Sequence, residues 1–224
     1  MEIRGKVGGS LEGDWKGMMR AWIYDRLILG LTAEWYRAVL SRVPEEAAIL
    51  DVGIGTAGAL VANADLVKAK ELQITGIDID ADYIRRARER IAASSTEGRI
   101  TALVQSVYDH QGGPYDVVYF SASFMLLPEP ERALRHCCTL LRPGGRLFFT
   151  QTIQLRPSRV MEKLKPVLKR FTSIDFGRVT YEESFRQEIQ NAGLVLEDWQ
   201  VLKHQGPRAA CLAVARPEAT EESQ

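Results

Sequence analysis

The run Ala47-Ala48-Ile49-Leu50-Asp51-Val52-Gly53-Ile54-Gly55-Thr56-Ala57-Gly58 decides how the rest of the sequence is read. A short apolar stretch ends in an aspartate, three glycines follow as Gly53-x-Gly55-x-x-Gly58, and helix-forming residues continue from Ala59 to Lys70. Strand, glycine turn and helix in that order bring backbone N–H groups close to a ligand. A second short strand, Ile74 to Ile77, ends at Asp78, about 20 positions beyond the last glycine. On spacing alone this fits a dinucleotide site, and with it an NAD-dependent oxidoreductase. Asp51 argues the other way. Its carboxylate, two residues before Gly53, would oppose a pyrophosphate and favour a ligand with a cationic amine.

Outward from this unit the periodicity alternates. Ala81 to Ala93 places Tyr83, Ile84, Ala87 and Ile91 on one helical face. Ile100 to Val104, Asp116 to Phe120 and Arg146 to Thr150 read as strands three to five. Between the last two, Glu129 to Leu141 reads as a helix stopped by Pro143-Gly144-Gly145. This predicts an α/β domain with a parallel sheet and helices on both faces. A helix over Tyr181 to Asn191 stops at Gly193, and the runs Leu194 to Lys203 and Ala209 to Ala215 follow. The link between them is too short for a crossover helix, so they pair antiparallel as a C-terminal hairpin.

The flanks read differently. Residues 1–14 form a charged, glycine-rich stretch with the signature of a flexible N-terminus. Trp15 to Val43 carries apolar residues at helical spacing, a helical N-terminal lid. Gln154 to Thr180 is a lid-like insertion with an apolar stripe (Val160, Met161, Leu164, Val167, Leu168, Phe171) and a basic face. Residues 15–215 are therefore one domain, and 216–224 a disordered polar tail.

Composition narrows the function. The 224 residues hold 29 basic and 29 acidic side chains, and this zero net charge argues against a surface tracking nucleic acid. The apolar run Ala209 to Ala215 is far too short to span a membrane, and Met1 to Asp14 lacks the apolar core of a signal peptide. Three cysteines, two adjacent at Cys137 and Cys138, make neither a disulfide framework nor a metal site. A cytoplasmic protein, monomer or homodimer, with a small-molecule partner is expected.

S-adenosylmethionine has the charge character that Asp51 favours: an ammonium and a carboxylate at its amino-acid end, and a sulfonium. Asp78 is placed to accept the ribose hydroxyl protons. Here the sequence resembles the class I S-adenosylmethionine-dependent methyltransferases of small-molecule type, over roughly Ala47 to Ala215. Ile49–Thr56 looks like the family's first motif and Gly76-Ile77-Asp78-Ile79-Asp80 like its acidic second-strand motif. Tyr115-Asp116-Val117-Val118 and Leu140–Leu147 resemble its fourth-strand opening and its turn into the fifth strand. The resemblance implies a three-layer, Rossmann-like fold with a mostly parallel seven-stranded sheet. It implies S-adenosyl-L-methionine as cofactor, contacted by Asp51, Gly53, Ile54, Gly55, Thr56, Gly58, Asp78, Ile79, Ser106, Val107 and Ser121. Two positions depart from the pattern. Ala57 stands where the third glycine commonly falls, and Ser106 where many members carry an adenine-binding aspartate.

The implied activity is methyl transfer to an O or N atom, less readily S or C, of a small acceptor, by proximity and desolvation. Acceptor groups belong at the carboxyl ends of the strands. There Ser121-Ala122-Ser123-Phe124-Met125-Leu126-Leu127-Pro128 lacks the Pro-Pro-aromatic motif of amino-nucleobase enzymes. Tyr24, Phe124, Met125 and Gln151 are the acceptor-site candidates, and Tyr24 and His110 the candidates for proton transfer. His110 otherwise reads as a solvated loop residue, His136 and His204 as surface residues, and Cys137-Cys138 as packing. A module that binds S-adenosylmethionine without turnover is the other reading.

Overall fold

Ile49, Leu50, Ile74, Ile77, Val117, Val118, Leu147 and Phe149 are all buried, with successive side chains pointing to opposite faces. Strands apolar on both sides need helices on both faces. The computed structural model describes residues 31–155 and 180–218. A helix over 31–40 (α1) leads to β1 (Ala48–Val52), α2 (Gly58–Val61), α3 (Ala64–Ala69), β2 (Gln73–Asp78), α4 (Ala81–Ala92) and β3 (Ile100–Val104). Then come β4 (Tyr115–Ser121), α5 (Pro130–Leu140), β5 (Leu141–Gln154), α6 (Glu182–Asn191), β6 (Leu194–Gln205) and β7 (Arg208–Pro217). The sheet has seven strands in the order β3-β2-β1-β4-β5-β7-β6.

β1 to β5 pair in parallel, while β7 pairs antiparallel with both β5 and β6, so the expected hairpin closes the sheet. The strand order reverses between β1 and β4. The chain runs outward from β1 to β3 and returns to β4 on the other side, which opens a crevice beyond their carboxyl ends. One face is covered by α1 to α4, through Tyr36, Val39, Leu40, Leu60, Val67, Ile84, Ala87 and Ile91. The other is covered by α5 and α6, where Phe120, Phe124, Phe149 and Phe185 pack with ring centroids 5.2–5.7 Å apart. Helix α4 begins where its sequence says it should: Asp80 Oδ1 caps it by accepting from Asp82 N at 2.8 Å and Tyr83 N at 3.1 Å.

Three expectations need correction. The helix expected over Ala59 to Lys70 is two short helices, α2 and α3, broken at Ala62-Asn63. Buried Asn63 is the cause: its amide donates to Ala59 O at 2.9 Å and to Ala33 O at 3.0 Å, tying the break to α1. Pro143-Gly144-Gly145 does not end α5, which stops at Leu140. It forms an irregular stretch early in β5, where Leu141 pairs with Tyr115 and the next partnership is Arg146 with Val117. The polar tail begins later than Arg216, because β7 continues to Pro217 and pairs it with Leu194. The flexible 1–14 stretch, the lid before residue 31, the insertion from 156 to 179 and the last six residues lie outside the described residues. The described part of the N-terminal lid, α1, is a core element.

Two glycines hold the sheet and the first turn together. A Cβ on Gly76 would lie 2.1 Å from Ile54 Cδ1, and one on Gly53 2.5 Å from Ser123 Cβ. Gly53 also has φ +81°, whereas Gly55, at φ +56°, has open space where its Cβ would be. Gly53→Ala is therefore expected to destabilise the fold by about 2–4 kcal/mol, from left-handed strain plus overpacking. Gly55→Ala should cost about 1–2 kcal/mol, from strain alone. Chemical denaturation of the two variants side by side tests this; equal losses would refute it.

Candidate active site

The glycine turn is anchored before it can receive anything. Gly53 N and Ile54 N both donate to Ile77 O, at 2.8 and 3.1 Å, fastening the turn to β2. The side chain of Ile54 is buried against Gly76, so only its backbone faces the crevice. Thr56 is held from behind by Arg90, whose guanidinium donates to its carbonyl at 3.2 Å and contacts its hydroxyl. The left-handed residue before α2 is Ala57, φ 55°, and Gly58 lies inside the helix. The departure at position 57 is thus accommodated as backbone strain carried by a small residue. With only one turn, α2 offers a weaker terminal field than a helix over Ala59 to Lys70 would have.

Asp78 closes the turn from the β2 side. Its Oδ2 accepts from Gly55 N and its Oδ1 from Asp80 N, both at 3.0 Å, leaving lone pairs on each oxygen for incoming hydroxyls. Beside it Ile79 is 78% exposed and Val104 50%, two apolar surfaces at the ends of β2 and β3. Ser106 Oγ accepts from Tyr108 N at 3.3 Å and caps the short turn Val107–Asp109, in which Val107 is buried. The loop is therefore fixed by Ser106 itself.

At the end of β1, Asp51 is 1% exposed. Its Oδ2 accepts from the Tyr36 hydroxyl at 2.7 Å, and its Oδ1 has no hydrogen-bond partner. Burial pushes its pKa up to about 7, against the Tyr36 hydrogen bond, with Asp78 adding to the rise. Burial, and then the charge of Asp51, holds Tyr36 well above the usual phenol value. The cluster continues across the sheet. Tyr119 pairs with Asp51 in register and packs edge-on against Tyr36 at 5.0 Å, and its hydroxyl lies 2.7 Å from Thr150 Oγ1. Ser121 favours the ionised form of both tyrosines, so it stands beside them, yet its buried Oγ has no hydrogen bond of good geometry. Ser123, two residues on, donates to Val52 O and locks β4 to β1.

Asp51, Gly53, Ile54, Gly55, Thr56, Asp78, Ile79 and Ser121 all lie at or just beyond the carboxyl ends of β1, β2 and β4, with Ser106 and Val107 on the loop after β3. Other candidates fall elsewhere. Phe124 is a wall of the buried aromatic cluster on the α5–α6 face, not an acceptor contact, because three rings close around it. Met125 is half-buried next to it. Gln151 is 2% exposed with both amide atoms unpartnered, on the sheet face opposite Asp51. His110 is not a solvated loop residue but a buried one. Its Nδ1 lies 2.8 Å from Gln105 Oε1 and its Nε2 2.8 Å from the Tyr115 hydroxyl, and burial lowers its pKa. With both ring nitrogens engaged it is a structural residue. His136 is half-buried rather than a surface residue, its Nε2 2.7 Å from His110 O, while His204 is exposed. Cys137 packs in the core. Tyr24 lies outside the described residues.

Sequence reading missed Tyr36, Tyr119 and Thr150. Tyr36 sits in a helical stripe that looks like core, and the register that puts Tyr119 beside Asp51 and Thr150 beside Ser121 is a tertiary fact. A cleft of about 410 Å³ also exists at the opposite end of the sheet, lined by Arg42, Asp116, Arg146, Glu197 and Asp198. Its charges neutralise one another through Arg42–Asp198, Arg142–Asp116 and Arg146–Glu197 pairs. It is far from the glycine turn and shares no residue with it.

Comparison with known proteins gives consistent neighbours. Residues 49–145 match the family described as methyltransferase domain. A ubiquinone biosynthesis O-methyltransferase from Xanthomonas axonopodis pv. citri is 29% identical over 163 residues, 69% of this chain and 65% of the relative. The chain spans 42% to 65% of the lengths of the first curated relatives it matches. The methyltransferase SibL in its apo form superposes with TM-score 0.66 at 22% identity, over 95% of this chain and 60% of that one. Geranyl diphosphate C-methyltransferase from Streptomyces coelicolor, in complex with S-adenosyl-L-homocysteine, gives TM-score 0.64 at 13% identity, over 84% of this chain and 77% of that one.

A buried carboxyl whose folded pKa is about 7 is more readily protonated folded than unfolded. Its contribution to stability is therefore lost as pH rises from the unfolded value of about 4 to about 7 and is flat above. Asp51→Asn removes this dependence. The variant is expected to gain about 2–4 kcal/mol on the wild type between pH 4 and pH 8. Denaturant titrations at both pH values check it, and a constant difference between the two proteins would contradict it.

Proposed function

We propose that this chain, which carries a class I S-adenosylmethionine-dependent methyltransferase domain, is a cytoplasmic enzyme that methylates an oxygen, or else a nitrogen, of a small-molecule acceptor. One observation carries the reading: Asp51 Oδ1 is a buried carboxylate oxygen without a partner, beside a glycine turn whose Gly55 opens onto empty space. An unpaired carboxylate oxygen in such a place is costly and is relieved by a cationic donor. The ammonium of S-adenosylmethionine is such a donor, so the residues present fit the group.

Asp51 would hold the ammonium through Oδ1 while Tyr36 keeps Oδ2. Asp78 would accept from the ribose hydroxyls with the lone pairs left by Gly55 N and Asp80 N. Ile79 and Val104 offer apolar surface to the adenine, and the Ser106–Val107 backbone borders it. When bound, the cofactor supplies an activated methyl on a sulfonium, for in-line transfer with the electron pair left on sulfur. The chain's own share is alignment and exclusion of water. Alignment of this kind is worth roughly 7–11 kcal/mol in favourable cases. α1 would shut one side of the site by packing Tyr36 edge-on against Tyr119 of β4.

The same carboxylate speaks against NAD, whose pyrophosphate would lie against Asp51. The 29% identity to an O-methyltransferase supports oxygen as the acceptor atom. Calorimetric titration with S-adenosylmethionine and with NAD, followed by turnover of methyl-labelled cofactor in a metabolite extract, tests the proposal. Preference for NAD would refute the cofactor, and tight binding without any labelled product would leave a binding module. Asp78→Ala is expected to weaken S-adenosylmethionine binding by about 1.5–3 kcal/mol, roughly tenfold to a hundredfold. An unchanged affinity would show that the ribose lies elsewhere.

A further inference from the structure

S-adenosylmethionine carries a carboxylate on the same carbon as its ammonium. An ammonium held at Asp51 Oδ1 therefore brings that carboxylate close to Asp51 as well. It arrives at a turn flanked by Asp51 and Asp78, two like charges, and needs positive charge to offset them.

The turn itself has little to offer. The N–H groups of Gly53 and Ile54 both go to Ile77 O, that of Gly55 to Asp78 Oδ2, and that of Ala57 to Ile54 O. Helix α2 is a single turn without a side-chain cap, too short to hold an anion by its own dipole.

Arg90 supplies what the turn lacks. It belongs to the last turn of α4, where a cation suits the helix, yet its guanidinium leaves the helix for Thr56. One nitrogen, Nη1, donates to Thr56 O at 3.2 Å and also to Thr56 Oγ1. Because a guanidinium only donates, Thr56 Oγ1 accepts here and its own proton is left for another acceptor. Neighbouring arginines of α4 are used differently: Arg85 pairs with Asp82 and Glu89, and Arg88 donates to Ala102 O. Arg90 meets neutral oxygens and makes no ion pair among the described residues, so no carboxylate there cancels its charge. It is half-buried, which limits screening by solvent. Asp51 feels burial, Tyr36 and Asp78 rather than Arg90. Arg90 thus meets the turn at its other end, where it can favour an anion without competing for the partner of the ammonium.

We propose that Arg90, outside the glycine turn, is a positioning residue for the amino-acid end of the cofactor: through Thr56 it fixes the far end of the turn and supplies the positive charge that the ligand's carboxylate needs. The proposal rests on the S-adenosylmethionine reading and deepens it by accounting for the carboxylate. Charges then balance across the site. The ammonium and sulfonium of the ligand answer Asp51 and Asp78, and Arg90 answers its carboxylate.

The test compares S-adenosylmethionine with its decarboxylated analogue, which keeps the adenosine, sulfonium and ammonium and lacks only the carboxylate. Affinities are measured by calorimetry on the full chain for wild type, Arg90→Gln, Arg90→Lys and Thr56→Val. Wild type is expected to prefer S-adenosylmethionine by about tenfold or more. Arg90→Gln should weaken S-adenosylmethionine about tenfold and leave the analogue unchanged or tighter, because only the carboxylate loses its counter-charge. Arg90→Lys should recover most of that loss. Thr56→Val keeps the carbonyl and loses the hydroxyl; it should show the same split at about threefold, and it carries the test should Arg90→Gln not fold. Equal weakening of both ligands makes Arg90 a brace of the fold only and overturns the proposal. Unchanged S-adenosylmethionine affinity in Arg90→Gln also overturns it, the charge then coming from elsewhere, residues outside those described included. Wild type that binds the analogue as tightly as S-adenosylmethionine overturns it too. In each of these cases the cofactor reading stands. Wild type that binds neither ligand overturns that reading, and this proposal with it.

Discussion

The hydrogen bond from Tyr36 to Asp51 is the contact on which the site depends. A carboxylate 1% exposed at the end of a central strand is costly unless its oxygens are satisfied. Tyr36 satisfies one of them at 2.7 Å and comes from α1, the first described helix. The same bond therefore fixes the helix over the sheet, stops Asp51 from turning away, and leaves Oδ1 as the oxygen with a need. Arg37, the next residue, adds an exposed pair with Asp65 and a long hydrogen bond to Asn63 Oδ1 at 3.4 Å, which contribute little by comparison. Asn63 supplies the second buried tie, by donating to Ala33 O.

Everything else in the crevice is placed relative to that carboxylate by the sheet. Parallel pairing with β4 puts Tyr119 beside Asp51, and pairing of β4 with β5 puts Thr150 beside Ser121. The close approach of β1's turn to β4 is possible because Gly53 has no Cβ to strike Ser123. The close approach to β2 is possible because Gly76 leaves room for Ile54. Gly53 and Gly76 thus serve protein packing, whereas the missing Cβ of Gly55 leaves open space beside the turn. A side chain at Gly53 meets protein before it meets any cofactor, so the glycine fingerprint mixes a folding requirement with a binding one.

The strands, their order in the chain and the closing hairpin were legible because a buried parallel sheet writes itself as short apolar runs between amphipathic helices. Asp51 and Asp78 were legible because each ends such a run. The break at Asn63 was not, since it depends on a carbonyl of α1 that the chain reaches only after folding. Phe124 was misread for a related reason: an aromatic at the carboxyl end of β4 looks the same whether it faces a ligand or three other rings. His110 was misread as solvated because its partners, Gln105 and Tyr115, are ordinary in sequence and meet it only through the turn between β3 and β4. Tyr36, Tyr119 and Thr150 carried no signal of their own, because one polar atom at the tip of a buried side chain does not disturb an apolar pattern.

Charge balance links the two halves of the crevice. Raised pKa values at Asp51 and Tyr36 share one cause, loss of water, and the described residues provide no cation to offset it. Left alone, the site lowers its electrostatic energy by holding a proton, which is why Asp51 titrates near neutrality. A cationic ligand would do the same work as that proton and displace it, so under the proposed cofactor reading binding and deprotonation of Asp51 would be linked. Tyr36 would go on donating to the ionised carboxylate. Loss of water is thus the one cause behind both the raised pKa of Asp51 and the need of its free oxygen for a cationic donor.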